Sequence, residues 1–204
     1  MHLALLGRGV ADATDPVKLA ELLDVLLSRH PELLREAQRA ALAEGAIIEP
    51  ADLLPEELAV ETALPHSKLN VYHRMPPGMN SWEIRFGDSL DSDGTDTVLW
   101  WHRNPVKKPW SIKVLLVDGV GFYPDFIIGI RNRKQESGGL LADTKYAYDT
   151  NKELPKILAE HPSYGKVLIL SLNDSKQWAI AQMSSPGGKA ILGGVFRPSE
   201  AAAY

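Results

Sequence analysis

Apolar and polar positions divide the chain into a helical front and a strand-rich remainder. Between residues 15 and 45 the apolar positions recur at helical spacing. Leu19, Leu22, Leu23 and Leu26 fall at i, i+3, i+4 and i+7, behind Asp15-Pro16 as N-cap and first helical residue. Pro31 restarts a second stripe of Leu33, Leu34, Ala37 and Ala41, which Gly45 ends. A helical hairpin is predicted there. Residues 46–66 hold three prolines and read as a connector with one helical turn near Glu56. The pattern gives an N-terminal helical extension and connector over 1–66 and a second domain over 67–204.

In that second domain Lys68 to His73 alternates like a short strand. Residues 80–91 form a helix with Trp82, Phe86 and Leu90 on one stripe and Glu83 beside it. Strands are predicted at Val98–His102, Ser111–Val117, Phe122–Ile130 and Leu140–Tyr146, with Asp118-Gly119 as the hairpin turn between the second and third. Residues 132–139 form a polar loop. Residues 150–161 suit a helix that Pro155 delays or kinks. Val167–Leu172 suits a buried strand and Gln177–Met183 a further one, with a turn over Ser184–Gly188 and a frayed tail after Arg197. Helix, strands, helix, strand specifies an α/β chain, an α+β mixed sheet with helices on its faces.

Composition narrows the chemistry. The chain has 204 residues, 45% hydrophobic and 24% charged, enough to bury a sizeable core. With no cysteine, disulfides, thiolate zinc sites and cysteine nucleophiles are excluded. The run Leu3-Ala4-Leu5-Leu6 is too short for a signal-peptide core, and no stretch reaches the roughly 20 apolar residues of a membrane span, so a cytoplasmic protein is expected. The net charge of −4 hides an uneven distribution. Residues 1–97 hold 8 Lys/Arg against 17 Asp/Glu, residues 98–134 hold 7 against 2, and residues 135–204 hold 7 of each. The basic excess is either a solvated face or a polyanion-binding surface. Gly187-Gly188-Lys189-Ala190 lacks the earlier glycine and the Ser/Thr of a phosphate-binding loop, so these residues supply no ATPase motor.

Three charged residues interrupt apolar strands. Asp125 breaks the run from Phe122 to Ile128, and Asp143 and Lys145 follow Leu140-Leu141-Ala142. A period of two puts Asp143 and Lys145 on one face, and Asp125 joins them if the two strands are neighbours. Charge in a sheet is costly unless paired or bound to a metal. Two converging carboxylates make a hard oxygen site suited to Mg²⁺ or Mn²⁺. The same residues also fit a turn aspartate and a surface ion pair. Trp100 to Asn104 offers aromatic and basic groups for nucleic acid, or a core tryptophan; His102 is a secondary candidate base. Arg103, Lys107, Lys108, Arg131, Arg133 and Lys134 flank the acidic residues in sequence and are candidate DNA contacts.

Beyond these residues lies a longer pattern. Asn80-Ser81-Trp82-Glu83, Leu99 to Pro105, Gly121 to Phe126, Gly139 to Lys145 and Tyr164-Gly165-Lys166-Val167 together resemble the C-terminal nuclease domain of bacterial helicase-like restriction and defence proteins. About 90 of the 204 residues are covered. The resemblance implies a PD-(D/E)XK fold, a restriction-endonuclease-like core with a four-stranded mixed sheet flanked by helices, over 67–204. It implies Mg²⁺- or Mn²⁺-dependent endonuclease activity on DNA in a restriction or phage-defence (antiviral) setting. It places Glu83, Asp125, Asp143 and Lys145 at the catalytic positions, with Glu83, Asp125, Asp143 and the Thr144 carbonyl as metal ligands. A helicase or ATPase partner and a homodimer go with that setting. Two departures stand out: the acid before x-Lys is Asp143 where Glu is usual, and Tyr146 follows where Gly is common. A non-catalytic nucleic-acid-binding or assembly module is the alternative.

Overall fold

A computed structural model describes residues 25, 28–30, 32, 54–116, 119–131, 137–145, 150–185 and 188–204, without the side chains of 150–152. The chain divides into two compact units, Met1–Ala46 and Ile47–Tyr204. Of the expected N-terminal hairpin, Val25, Ser28, Arg29 and Glu32 are helical and His30 is not, and the rest lies outside the described residues.

The second unit is an α+β fold around a mixed seven-stranded sheet. In chain order its elements are α1 (Ser81–Asp91), β1 (Val98–Arg103), β2 (Val114–Leu115), β3 (Gly121–Phe122), β4 (Phe126–Arg131), β5 (Ser137–Lys145), α2 (Thr150–Ile157), β6 (Glu160–His161), β7 (Gly165–Leu172), β8 (Trp178–Met183), β9 (Ala190–Val195) and a closing 3₁₀ helix, Pro198–Ala203. The sheet order is β1-β4-β5-β7-β8-β9, with β6 added against β7. Only β5 and β7 run parallel, joined through α2; every other pairing in this sheet is antiparallel. Among the described residues, no helix is long and apolar enough to cross a membrane.

Alternation on the strands builds two cores. Phe126, Ile128, Leu140, Ala142, Leu168 and Leu170 face one side and pack with Phe86 and Leu90 of α1. Ile127, Leu141, Val167 and Ile169 face the other and pack with Ile157 of α2. Helix α1 starts at a capping box: Asn80 accepts from the amides of Trp82 and Glu83, and Glu83 accepts in return from the Asn80 amide at 2.7 Å. Gly87 lets α1 approach the fully buried Trp101, whose indole N–H donates to Asp91 at 2.8 Å.

Several expectations change. Lys68 to His73 is not a strand. Its amides at Lys68 and Leu69 are taken by the Asp91 carboxylate, Asn70 makes an isolated bridge to Trp101, and His73 turns the chain with φ 53°. No helical turn forms at Glu56. Of the strand expected over Ser111–Val117, the described residues keep only β2, which pairs with β3 in a separate two-stranded sheet, and Val117 lies outside the described residues. The strand expected over Phe122–Ile130 is broken at Tyr123-Pro124-Asp125, where proline has no amide for a ladder. Strand β9 was not expected; its glycines at 193 and 194 weaken the β signal. The tail is ordered rather than frayed, because Ala201 and Phe196 are buried in the α1-side core.

Asp91 gathers donors from two separate segments: the amides of Lys68 and Leu69, and the Trp101 indole. Burial opposes its charge, yet the bonds from Trp101, Ser67, Leu69 and Lys68 win and keep its carboxyl below the ordinary range. Asp91→Ala is expected to lower unfolding stability by about 2–4 kcal/mol, since each stranded donor costs about 1–3 kcal/mol before water recovers part of it. Urea denaturation measures this; a loss under about 1 kcal/mol would show that the 67–75 segment docks without this clamp.

Candidate active site

The site forms where the β4–β5 hairpin opens. The ladder runs from Arg131 opposite Ser137 to Phe126 opposite Ala142. Asp125 sits in the bend just beyond that ladder, where its carboxylate reaches Thr144 and feels the charge of Asp143. Asp143 and Lys145 continue the face of Leu141, the one α2 covers.

Asp125 is also held by its backbone. Asn104, buried just after β1, donates its amide to the Asp125 carbonyl at 2.8 Å and its side-chain nitrogen to the carbonyls of Pro124 and Ile112 at 2.9 and 2.8 Å. The Ile112 amide returns a bond to the Asn104 side-chain oxygen at 2.9 Å. This buried amide fixes the Pro124-Asp125 break against the loop after β1. Nothing in the spacing of Asn104 marked it for that role beyond its place in the resembling segment.

Each of the two carboxylates has one committed oxygen. Asp125 Oδ2 accepts from the Thr144 amide at 2.8 Å and the Thr144 hydroxyl at 3.0 Å. Asp143 Oδ2 meets Lys145 Nζ at 2.5 Å and Lys156 Nζ at 3.5 Å. Among the described residues, the Oδ1 atoms of both accept no hydrogen bond. Burial, then the charge of Asp143 and more weakly that of Glu83, push the Asp125 carboxyl up to about 7, against the pull of Thr144 and Lys145. For Lys145, burial opposes the charge, but Asp143, Asp125 and Glu153 outweigh it and raise its pKa.

Glu83 comes from α1, across the sheet from Asp143. It is buried, capped onto Asn80, and ion-paired with Arg103 at 3.2 Å. It is near enough to act on Asp125. Still, no group of three or more His, Asp or Glu side chains close enough to hold a metal ion together occurs among the described residues.

The basic candidates separate. Arg103, Lys107 and Lys108 leave β1 at the Asp125 end, the two lysines exposed and Lys107 turning the chain with φ 59°. Arg131 sits at the other end of β4, about 20 Å from Asp125 at the usual strand rise. A hairpin sends residues that flank a strand in sequence to opposite ends, which is why sequence proximity misled here. Arg133 and Lys134 lie outside the described residues, as do Asp118 and Tyr146. Trp101 is the core tryptophan; Trp100 is 36% exposed and lies against Gly129. His102 is buried beside Tyr72, with no hydrogen bond to either ring nitrogen among the described residues. Burial and then Arg103 lower its pKa to about 4, so it is neutral at pH 7.

Two residues of α2 escaped the sequence reading. Glu153 and Lys156 pair at 3.2 Å, and Lys156 also reaches Asp143. Helical i,i+3 pairs of this type are common on surfaces, so no pattern signalled them.

No family model matches the chain, and no curated protein or solved structure shows significant similarity to it.

The raised Asp125 carboxyl has a consequence for stability. In the unfolded chain it titrates near 3.9. Between about pH 4 and 7 the folded protein keeps a proton that the unfolded chain has lost, so folding stability falls as pH rises through that window. At neutral pH the cost is on the order of 2–4 kcal/mol. Asp125→Asn keeps an acceptor for Thr144 and removes the charge. Its Tm is expected to exceed wild type by roughly 5–10 °C at about pH 7.5, with the gap closing toward about pH 4. A gap independent of pH would contradict the burial of Asp125 beside Asp143.

Proposed function

We propose that this chain is a metal-dependent nuclease of the PD-(D/E)XK kind, hydrolysing phosphodiester bonds of DNA. The observation that carries the reading is the closeness of two carboxylates, Asp125 just beyond β4 and the buried Asp143 in β5: each is near enough to Lys145 to act on it, and Asp125 feels the charge of Asp143. The element order supports it: α1, then β1, β4 and β5 antiparallel, then α2 and the parallel β7, follow one another within the seven-stranded sheet in a way compatible with the four-stranded mixed core that the resemblance implies.

The donor set fits a hard divalent cation. Asp125 and Asp143 each retain an oxygen unclaimed by described residues, and one or two carboxylates are what Mg²⁺ or Mn²⁺ usually takes from a protein. These two, with the Thr144 carbonyl, would hold the ion, while Glu83 stays paired with Arg103 on the α1 side. Such an ion, when bound, lowers the pKa of water and stabilises charge on phosphate oxygens. Lys145 would orient the attacking water and meet the charge growing on the phosphoryl group. Water adds to phosphorus, one ester bond breaks, and the departing oxygen takes a proton. Arg103, Lys107 and Lys108 would draw the backbone toward the carboxylates, which alone would repel it.

A restriction or phage-defence setting, a helicase or ATPase as the motor, and a pair of copies for double-strand cleavage belong to the same proposal.

A second reading has one observation in its favour. Asp143 is already neutralised by Lys145 and Lys156, and Glu83 by Arg103, so the cluster is internally paired. That suits a non-catalytic nucleic-acid-binding or assembly module. Plasmid incubated with the protein separates the two. Nicking or linearisation in Mg²⁺ or Mn²⁺, abolished by EDTA, is expected. Asp125→Ala and Lys145→Ala should each lower the rate at least about 100-fold while the circular dichroism spectrum stays native. Binding without nicking, or undiminished cleavage by both variants, would favour the module.

A further inference from the structure

One cation at the site has no role in that scheme. Lys156 extends from α2 to within 3.5 Å of Asp143 Oδ2 and 3.2 Å of Glu153 Oε2, and lies 5.5 Å from the centroid of the Phe122 ring. Lys145 already occupies the same Asp143 oxygen at 2.5 Å. A single carboxylate charge does not require two ammonium groups, and Lys156 has Glu153 as a counter-ion on its own helix. Its side chain is 23% exposed, so the group is neither sealed in nor free in solvent. The aromatic face and Glu153 hold it at the rim through contacts of the weak, exchangeable kind. A compact ammonium on a flexible stem, pre-placed beside an anionic site, suits a single phosphate oxygen.

Resting on the nuclease reading for the position of the substrate, we propose that Lys156 binds a phosphate of the DNA strand that lies across Asp125 and Asp143. Its role is distinct from that of Lys145. Lys156 anchors the backbone and takes no part at the reacting phosphorus. The placement favours this. Among the described residues, Lys145 and Lys156 are the ammonium groups that reach Asp143, and Lys145 is already assigned to the reacting phosphoryl group.

The test uses the full chain and a fluorescein-labelled duplex, with Ca²⁺ in place of Mg²⁺ and anisotropy as the readout over a range of salt. Wild type, Lys156→Gln and Lys156→Arg are compared. Loss of one phosphate contact lowers the slope of log Kd against log salt by about 0.9, which is about eightfold in affinity at 0.1 M salt. Lys156→Gln is expected to show that loss, and Lys156→Arg to restore the slope. A Lys156→Gln protein with a lowered Tm and an unchanged slope would overturn the proposal, because bracing α2 would then be the whole role. Wild type that does not bind the duplex overturns it as well. Failure of the two readings is distinguishable. Wild-type cleavage in Mg²⁺ with an unchanged Lys156→Gln slope removes the phosphate contact and leaves the nuclease. A slope deficit in a protein that never cleaves keeps the contact and removes the nuclease.

Discussion

Two neighbouring carboxylates lie largely out of water at the open end of the β4–β5 hairpin, and the need to shelter their charge organises it. The Thr144 amide and hydroxyl hold one oxygen of Asp125, while Lys145 and Lys156 hold one oxygen of Asp143. These contacts do not cancel the problem, since the Asp125 carboxyl is still pushed up to about 7. A fold selected for stability alone has cheaper ways to fill these positions. Perturbed titration at the edge of a sheet, with a specific partner causing it, is a recurrent mark of a working site.

The surrounding fold makes that strain tolerable by rigidity. The sheet carries a separate core on each side, so β4 and β5 are fixed from both faces. Asn104 then ties the Pro124-Asp125 break to the loop after β1 with four hydrogen bonds. Glu83 and Arg103 neutralise each other on the α1 side, while Lys145, Lys156 and Glu153 settle the α2 side. Asp125, at the end of the sheet, feels acidic residues from both.

Much of this was legible in the sequence because it rests on simple periods. The stripe of Phe86 and Leu90 gave α1, and the spacing of Asp143 and Lys145 gave their common face. The approach of Asp125 to Asp143 needed one further assumption, that the strands are neighbours, and the pairing supplies it. What was not legible depends on tertiary context. Pro124 splits one apolar run into two strands in different sheets, although both halves look extended. Asn104 acts through carbonyls twenty residues away. Lys156 and Glu153 carry the pattern of an ordinary helical ion pair, and only the crossover from β5 to β7 lays α2 over Asp143. Arg131 was grouped with the site by sequence distance, which a hairpin turns into spatial separation.

The pairing of Phe126 with Ala142 also gives the site an all-or-none character. Side chains on a strand alternate between faces, so sliding β5 past β4 by one residue would exchange the sets that face α1 and α2. Asp143 and Lys145 would trade places with Ala142 and Thr144, and a charged pair would enter an apolar layer. Length changes in the segment linking the two strands would therefore preserve the site only where they leave β5 on the same face, so an odd slip dismantles it in one step.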